Sequence, residues 1–420
     1  MLLNKENYGS YNLYTIKTER FKTCHIEIIF RNNVIPEELT IRNILFDTLL
    51  ESNKNYPTNR LLNIKLEKLY NASIYTVTNK VGNMILTNFC MDFLAPKYSE
   101  DKIMEESFNL LFDLIFNPLV SNKEFDKNTV EYTKIKLESE LKSIVENPRK
   151  IAILNTLKTL KDTSTSYNTN GNLEDIPKIN NCNLYNYYEK VIQNDYIDIY
   201  VIGNLDMDKV SKIIKKYQQF DIIKNHEIKV YTKEEKRKLI KESKDTNYFQ
   251  TNLVYLLNLN NLTEYEKNYV ANIYNIILGG GSLQTKLSKK LRIDNSLCYN
   301  VQSSYLKYDN LIMIYTGIDI NKETKANKLI KEAINEMKDN ITEEELSEAK
   351  ELILTSLNML NDSPGRIIDN EFYINLGLID KLEDRINNFK NITKEDIYKL
   401  TSKINICTIY SLRGNINEEN

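Results

Sequence analysis

The side chains with the most chemical potential in this chain fall between residues 279 and 303. Gly279-Gly280-Gly281-Ser282 leads into a helical pattern that ends near Arg292, and Leu297-Cys298-Tyr299 follows. A guanidinium presents a fixed fork of donors to a carbonyl or carboxylate. A phenol can donate to an oxygen that gains charge when an amide is attacked. Each residue also has a plainer reading: Arg292 as a cation at a helix C-terminus, and Tyr299 as one of 28 tyrosines. The glycines do not form a phosphate loop, which requires Gly-Lys-Ser/Thr after its spacer; here Lys286 is followed by Leu287. They suit a close backbone approach or a bend, with Ser282 as N-cap of the next helix.

Metal chemistry has little to draw on. The two histidines, His25 and His226, lie far apart in the chain, and neither has a partner at ligand spacing. The five cysteines are scattered with no C-x-x-C pair, so neither a disulfide frame nor a cysteine-zinc site is indicated. No cofactor is expected.

The elements that must position these residues come in two similar sets. In the first half, alternation predicts a strand over Cys24–Arg31, and apolar spacing predicts helices over Ile41–Ser52 and Asn59–Leu69. Strands Ile74–Thr78 and Asn83–Phe93 flank Val81-Gly82. A long helix, Val130–Val145, stops at Pro148. A strand, Ile197–Val201, leads into Gly203-Asn204. In the second half the matching segments are a strand over Gln250–Asn258 and helices over Leu262–Leu278 and Ser282–Arg292. Strands Tyr299–Tyr305 and Leu311–Ile318 follow, then a helix Glu343–Leu360 stopped by Pro364, and a strand from Cys407 into Gly414-Asn415. The prolines lie 216 residues apart and the glycines 211 apart, which argues for a duplicated domain. The expected fold is α+β: two tandem homologous domains, each a mostly antiparallel sheet with helices on one face. The expected boundaries are 1–223 and 248–420. A polar linker spans 224–247, with an edge strand at Glu227–Tyr231.

With these residues in view, the chain resembles the M16 peptidases (insulinase, pitrilysin and mitochondrial processing peptidase). The carriers are the Gly279–Ser303 stretch, the segment Leu66-Glu67-Lys68-Leu69-Tyr70-Asn71-Ala72-Ser73-Ile74-Tyr75-Thr76, and Thr58 six residues after a degenerate motif. The family's zinc motif, H-x-x-E-H on a helix, reads here Thr48-Leu49-Leu50-Glu51-Ser52. The resemblance implies that the positions of the two zinc-binding imidazoles hold hydroxyls, which are poor ligands, while Glu51 stands at the position of the base. Glu131 and Glu138, or Glu140, match the place of the third ligand; without histidines they read as a solvated helix face. The family's glycine in the 66–76 segment is replaced by Tyr70 or Asn71. The resemblance further implies that Arg292 and Tyr299 bind peptide at the active site, with Gly279, Gly280 and Gly281 as a substrate-handling loop.

It also implies no catalysis by the chain alone and a partner: a zinc-bearing M16 peptidase subunit with intact H-x-x-E-H, sharing an extended peptide substrate. The chain is most similar to zinc-less bacterial members associated with 5-aminopentanol modification of elongation factor P, with Tyr56-Pro57-Thr58-Asn59-Arg60 among the marks. The alternative is a non-proteolytic peptide-binding or scaffold protein of the same fold, or a homodimer when isolated. Composition narrows the rest. A balance of 56 basic and 58 acidic residues gives no electrostatic case for nucleic acid or an anionic membrane. No apolar run approaches spanning length and no signal peptide is visible, so a cytoplasmic location is expected.

Overall fold

A computed structural model describes residues 3–161, 163–217, 226–233, 237–281 and 283–415. The chain divides into two compact units built from non-contiguous segments. One comprises residues 1–142, 168–230 and 361–370; the other comprises 143–167, 231–360 and 371–420.

The first unit is built on a six-stranded sheet. Its strands are β1 (Leu3–Asn7), β2 (Tyr11–Lys17), β3 (Thr23–Asn33), β4 (Ser73–Val81) and β5 (Met84–Leu94). A two-stranded hairpin, β6 (Val120–Ser121) and β7 (Glu124–Phe125), stands apart, and β8 (Tyr196–Gly203) completes the main sheet. The order is β1-β2-β8-β3-β5-β4, antiparallel except for β2 beside β8. Alternation along β3 turns Cys24, Ile26, Ile28 and Phe30 to one face and His25, Glu27, Ile29 and Arg31 to the other. Helix α1 (Leu39–Glu51) packs on the first face, where the Phe46 ring meets Phe30 edge-on at 5.1 Å. The opposite face is buried as well, but it is polar. Tyr14 stacks on Tyr200 at 4.4 Å, and Arg31 donates to Asp198 at 2.6 Å. Helix α2 (Asn59–Lys68) begins at Thr58, whose side chain accepts from the Leu61 N–H.

The second unit repeats the plan. Strands β9 (Ile240–Asp245), β10 (Thr251–Leu259), β11 (Val301–Leu306), β12 (Leu311–Ile318) and β13 (Ile404–Arg413) are ordered β11-β12-β10-β13-β9. Again one pair is parallel, β13 with β9. Read from the parallel pair outward, β2-β8-β3-β5-β4 and β9-β13-β10-β12-β11 are the same sheet built twice. A mixed α+β fold of two sheet-containing halves, largely antiparallel, is what the repeat in the sequence requires.

Three local expectations are corrected. Glu227–Tyr231 forms no strand; the strand in that region is β9, whose polar sequence Ile-Lys-Glu-Ser-Lys-Asp carries no apolar alternation. The helix expected from Ser282 starts later. Leu283 and Gln284 form a turn, and Thr285 accepts from the Ser288 N–H at 3.3 Å, so helical structure begins at Lys286; Ser282 itself lies outside the described residues. Tyr299 does not begin a strand but stands in the bend two residues before β11.

The glycine missing from the 66–76 segment leaves a conformational mark. Tyr70 and Asn71 both adopt left-handed backbone angles, φ 60° and 57°, where a β-carbon costs about 1–2 kcal/mol. Replacing Tyr70 by glycine relieves that strain while adding freedom to the unfolded chain. The expected net gain is roughly 0.5–1 kcal/mol, measurable by urea unfolding.

Candidate functional site

Helix α1 carries the degenerate motif, and it is held to the sheet by a buried cation. Arg42, 3% exposed, donates through Nε to Thr87 at 2.8 Å and through Nη2 to Asp195 at 2.7 Å and to the Phe30 carbonyl at 3.2 Å. Burial works against the charge of Arg42, and Asp195 and Tyr187 together outweigh it. One turn and a half later, the motif face looks toward helix α4, which lies beyond helix α3 (Asp101–Phe116) and spans Lys127–Val145.

The facing residues of α1 and α4 show what occupies the degenerate motif. The Thr48 hydroxyl is buried and lies 3.0 Å from the Thr133 hydroxyl, which in turn donates to the Val130 carbonyl at 3.0 Å. Ser52 is buried and caps the end of α1 in an extended conformation. Glu51 accepts from Asn59 Nδ2 at 2.7 Å. Burial pushes its carboxyl up, against the pull of Asn59 and Lys136. Lys136 is the residue that sequence reasoning missed. Its ammonium is 3.3 Å from Asp47 and feels Glu140 and Glu51 as well; these carboxylates overcome the burial that would otherwise lower its pKa. Of the candidate third ligands, Glu131 and Glu138 pair with Lys134 and Lys142 on their own helix. Glu140 contributes to the field at Lys136.

These residues do not fit a zinc ion. Two hydroxyls replace the imidazoles, that of Thr48 already engaged with Thr133, and a monovalent ammonium already sits among the acids. Lys136→Met should leave the carboxylate of Asp47, already raised by burial, without its counter-charge. The expected cost at neutral pH is about 1–3 kcal/mol. Asp47 binds a proton more readily folded than unfolded, so its ionisation destabilises the fold above its folded pKa, and the penalty fades as pH falls through that value. The variant should therefore recover stability relative to the wild type as the pH falls from neutral through the folded pKa of Asp47, read by urea unfolding at each pH.

The histidines are separately engaged. His25 Nδ1 is 2.9 Å from Asp92 Oδ1. The His226 ring lies 5.4 Å from that of Tyr196, whose hydroxyl donates to the His226 carbonyl.

In the second unit the glycines end an unusual helix. The chain is helical from 264 to 280, but Glu266–Val270 and Ile276–Gly280 are wound as π-helix around a short α-helical turn, Ala271–Asn275. Ser288–Ile293 is π-wound too. Such turns are rare and favour functional sites. The glycines serve close approach: a β-carbon at Gly279 would fall 2.6 Å from Leu287 Cδ1 and 3.1 Å from the Ser303 N, and one at Gly280 would fall 2.3 Å from Asn275 Nδ2. Gly281 lines a cavity of about 340 Å³ with Ile276, Gln284, Thr285, Glu348 and Leu352.

Arg292 and Tyr299 come together. The guanidinium carbon lies 5.0 Å from the centre of the Tyr299 ring, and that ring is 84% exposed. The reversal that brings them together runs through Asp294-Asn295-Ser296. The Ser296 N–H returns to the Arg292 carbonyl, and Ser296 takes a left-handed φ of 49°. Among the described residues Arg292 makes no ion pair with a carboxylate, so its donors remain available to a ligand while its cation rests on an aromatic face.

The family described as "Peptidase M16 inactive domain" matches residues 178–353. The chain is 26% identical to the "Probable inactive metalloprotease YmfF" of Bacillus subtilis (strain 168), across 98% of this chain and 97% of that protein. It is 25% identical to the "Uncharacterized zinc protease YmxG" of the same organism, across 72% and 74% of the two chains. Among solved structures, a conserved protein from Enterococcus faecalis V583 shares the fold with a TM-score of 0.92 at 22% identity, covering 99% of this chain and all of that one. The peptidase M16 inactive domain from Pseudomonas fluorescens superposes with a TM-score of 0.78 at 16% identity over 99% and 98% of the chains.

Proposed function

For a chain of the M16 family that lacks the zinc motif, we propose the role of non-catalytic subunit in a heterodimeric zinc peptidase. Its companion is a zinc-bearing M16 subunit with intact H-x-x-E-H, and the two share an extended peptide. This chain supplies Arg292 to the peptide's carbonyl or carboxylate groups and Tyr299 to the oxygen that becomes negative during attack. The observation that carries the reading is the Arg292–Tyr299 stack: a cation without a carboxylate partner among the described residues, over a phenol that solvent reaches almost completely. Gly279, Gly280 and Gly281 support the same segment. The tie to modification of elongation factor P and a cytoplasmic location belong to this proposal, as does the division at 1–223 and 248–420.

A second reading, a peptide-binding protein without proteolysis, is favoured by the cavity beside Gly281, whose Ile276 and Leu352 offer apolar surface next to the carboxylate of Glu348. Co-expression with a zinc-bearing M16 subunit separates the two. The peptidase reading expects a one-to-one complex that cleaves peptides and no cleavage by this chain alone. A chain that binds peptide but neither joins nor accelerates such a subunit supports the second reading and overturns the first.

A further inference from the structure

The polar face of the first sheet holds a cluster that the functional proposal does not use. The register of β3 against β5 sets His25 opposite Asp92 and Glu27 opposite Cys90, on adjacent same-face rungs. On the far side of Cys90, β4 places Tyr75. His25, Glu27 and Cys90 are 4%, 6% and 1% exposed. One ring nitrogen, one carboxylate oxygen and the sulfur all lie within 4.8 Å of one another.

The partners of these groups are incomplete. Glu27 Oε1 accepts from Asn88 Nδ2 at 2.7 Å and from the Cys90 thiol at 3.6 Å. Glu27 Oε2 is fully buried and has no partner. A buried carboxylate oxygen left unpaired is costly, and native structures seldom keep one without a reason. The neighbouring charges deepen the deficit. Asp369, from the 361–370 segment of the same unit, acts on Glu27 with the same sign. Asp92 adds another carboxylate across from His25. Burial pushes the Glu27 and Asp369 carboxyls and the Cys90 thiol up. The groups facing this cluster are therefore Glu27, Asp92 and Asp369 against His25, with Tyr75 and Cys90 beside them.

We propose that His25, Glu27 and Cys90 form a binding site for a divalent transition metal of the zinc class, on the opposite face of the sheet from the helix that carries Thr48 and Ser52. A nitrogen, a sulfur and a carboxylate oxygen make a donor set that selects zinc or its neighbours over magnesium and calcium. Ligands at about 2.0–2.3 Å from zinc stand roughly 3.3–3.8 Å apart in a tetrahedron. The Cys90 sulfur stands 3.6 Å from Glu27 Oε1, which places the carboxylate within ligand reach of an ion held by the thiolate. On binding, the thiol proton leaves to solvent and the thiolate coordinates. The ion neutralises the excess carboxylate charge and gives Glu27 Oε2 a partner. Asp92 accepts from Nδ1 of His25, as carboxylates do behind metal-bound imidazoles, and this leaves Nε2 as the nitrogen with an available lone pair. Ions have a route in: Tyr75 is 40% exposed and the Asp92 side chain 35%.

The site is independent of the peptidase proposal, and its test reads metal, not turnover. The full chain, stripped with a chelator and kept reduced, is titrated with cobalt(II) and then with zinc(II). About one equivalent of cobalt should bind with a thiolate-to-cobalt charge-transfer band, and zinc should displace it. Cys90→Ser should abolish the band and weaken zinc binding at least tenfold, and Glu27→Gln should weaken it by about 10–100-fold. Thr48→Ala should change neither. Wild-type protein without the band overturns the proposal, even where the variants fail to fold. So does a band that survives Cys90→Ser, because it would belong to Cys182 or Cys298.

Discussion

Arg42→Ala is expected to cost about 3–5 kcal/mol of folding stability, the largest single loss foreseen in the first unit. The reason is what stays behind. Asp195 is 1% exposed; one oxygen accepts from Asn32 at 2.7 Å, and the other faces the guanidinium. Removing Arg42 strands that charge and takes one donor each from the Thr87 hydroxyl and the Phe30 carbonyl. The double variant Arg42→Met with Asp195→Leu takes away both charges and should cost well under half as much, because a buried ion pair contributes little net stability over packed apolar groups. Urea unfolding of the two variants decides the matter. Equal losses would mean that the guanidinium matters for its packing and not for Asp195. The effect bears on function because Arg42 fixes α1, and α1 holds Thr48 and Glu51 against α4.

Arg292→Ala is expected to lower kcat/KM of the one-to-one complex by about 10²–10³, and Tyr299→Phe by a similar factor if the phenol donates to the developing oxyanion. The isolated chain should fold equally well in both variants. Tyr299 is 84% exposed, and Arg292 contacts mainly its ring, so neither change opens a core. The two losses should not add, because each group positions the other. A fall in turnover without a shift in unfolding midpoint separates a role at the peptide from a role in the fold.

Most of the architecture was legible because it rests on apolar periodicity. The alternation of Cys24–Arg31 and the apolar run Leu253–Leu257 appear within β3 and β10, and the proline stops at Pro148 and Pro364 mark where long helices give way to new ones. Two of the four edge strands, β1 and β9, were not legible. β9 is polar and largely exposed, and its place is set by parallel pairing with β13, a long-range contact that leaves no local trace. The π-wound turns were invisible for a similar reason: apolar spacing over residues 264–280 reads as an ordinary helix. At the candidate site, Arg292 and Tyr299 were named by the resemblance alone, and the guanidinium lies over the phenol ring. Lys136 could not be foreseen, since its contact with Asp47 depends on how α4 docks against α1. His25 has no partner at helical ligand spacing; its polar neighbours are Glu27, two residues along the same strand, and Asp92 and Cys90 from across the sheet.

The most direct measurement is turnover of a fixed amount of zinc-bearing M16 subunit titrated with this chain, in wild-type form and with Arg292→Ala plus Tyr299→Phe together. Turnover should climb with the wild-type chain to a plateau at one equivalent and stay near its starting value with the double variant, although both chains bind the subunit. A double variant that restores turnover as fully as the wild type, or a wild-type chain that leaves turnover flat, would contradict the account.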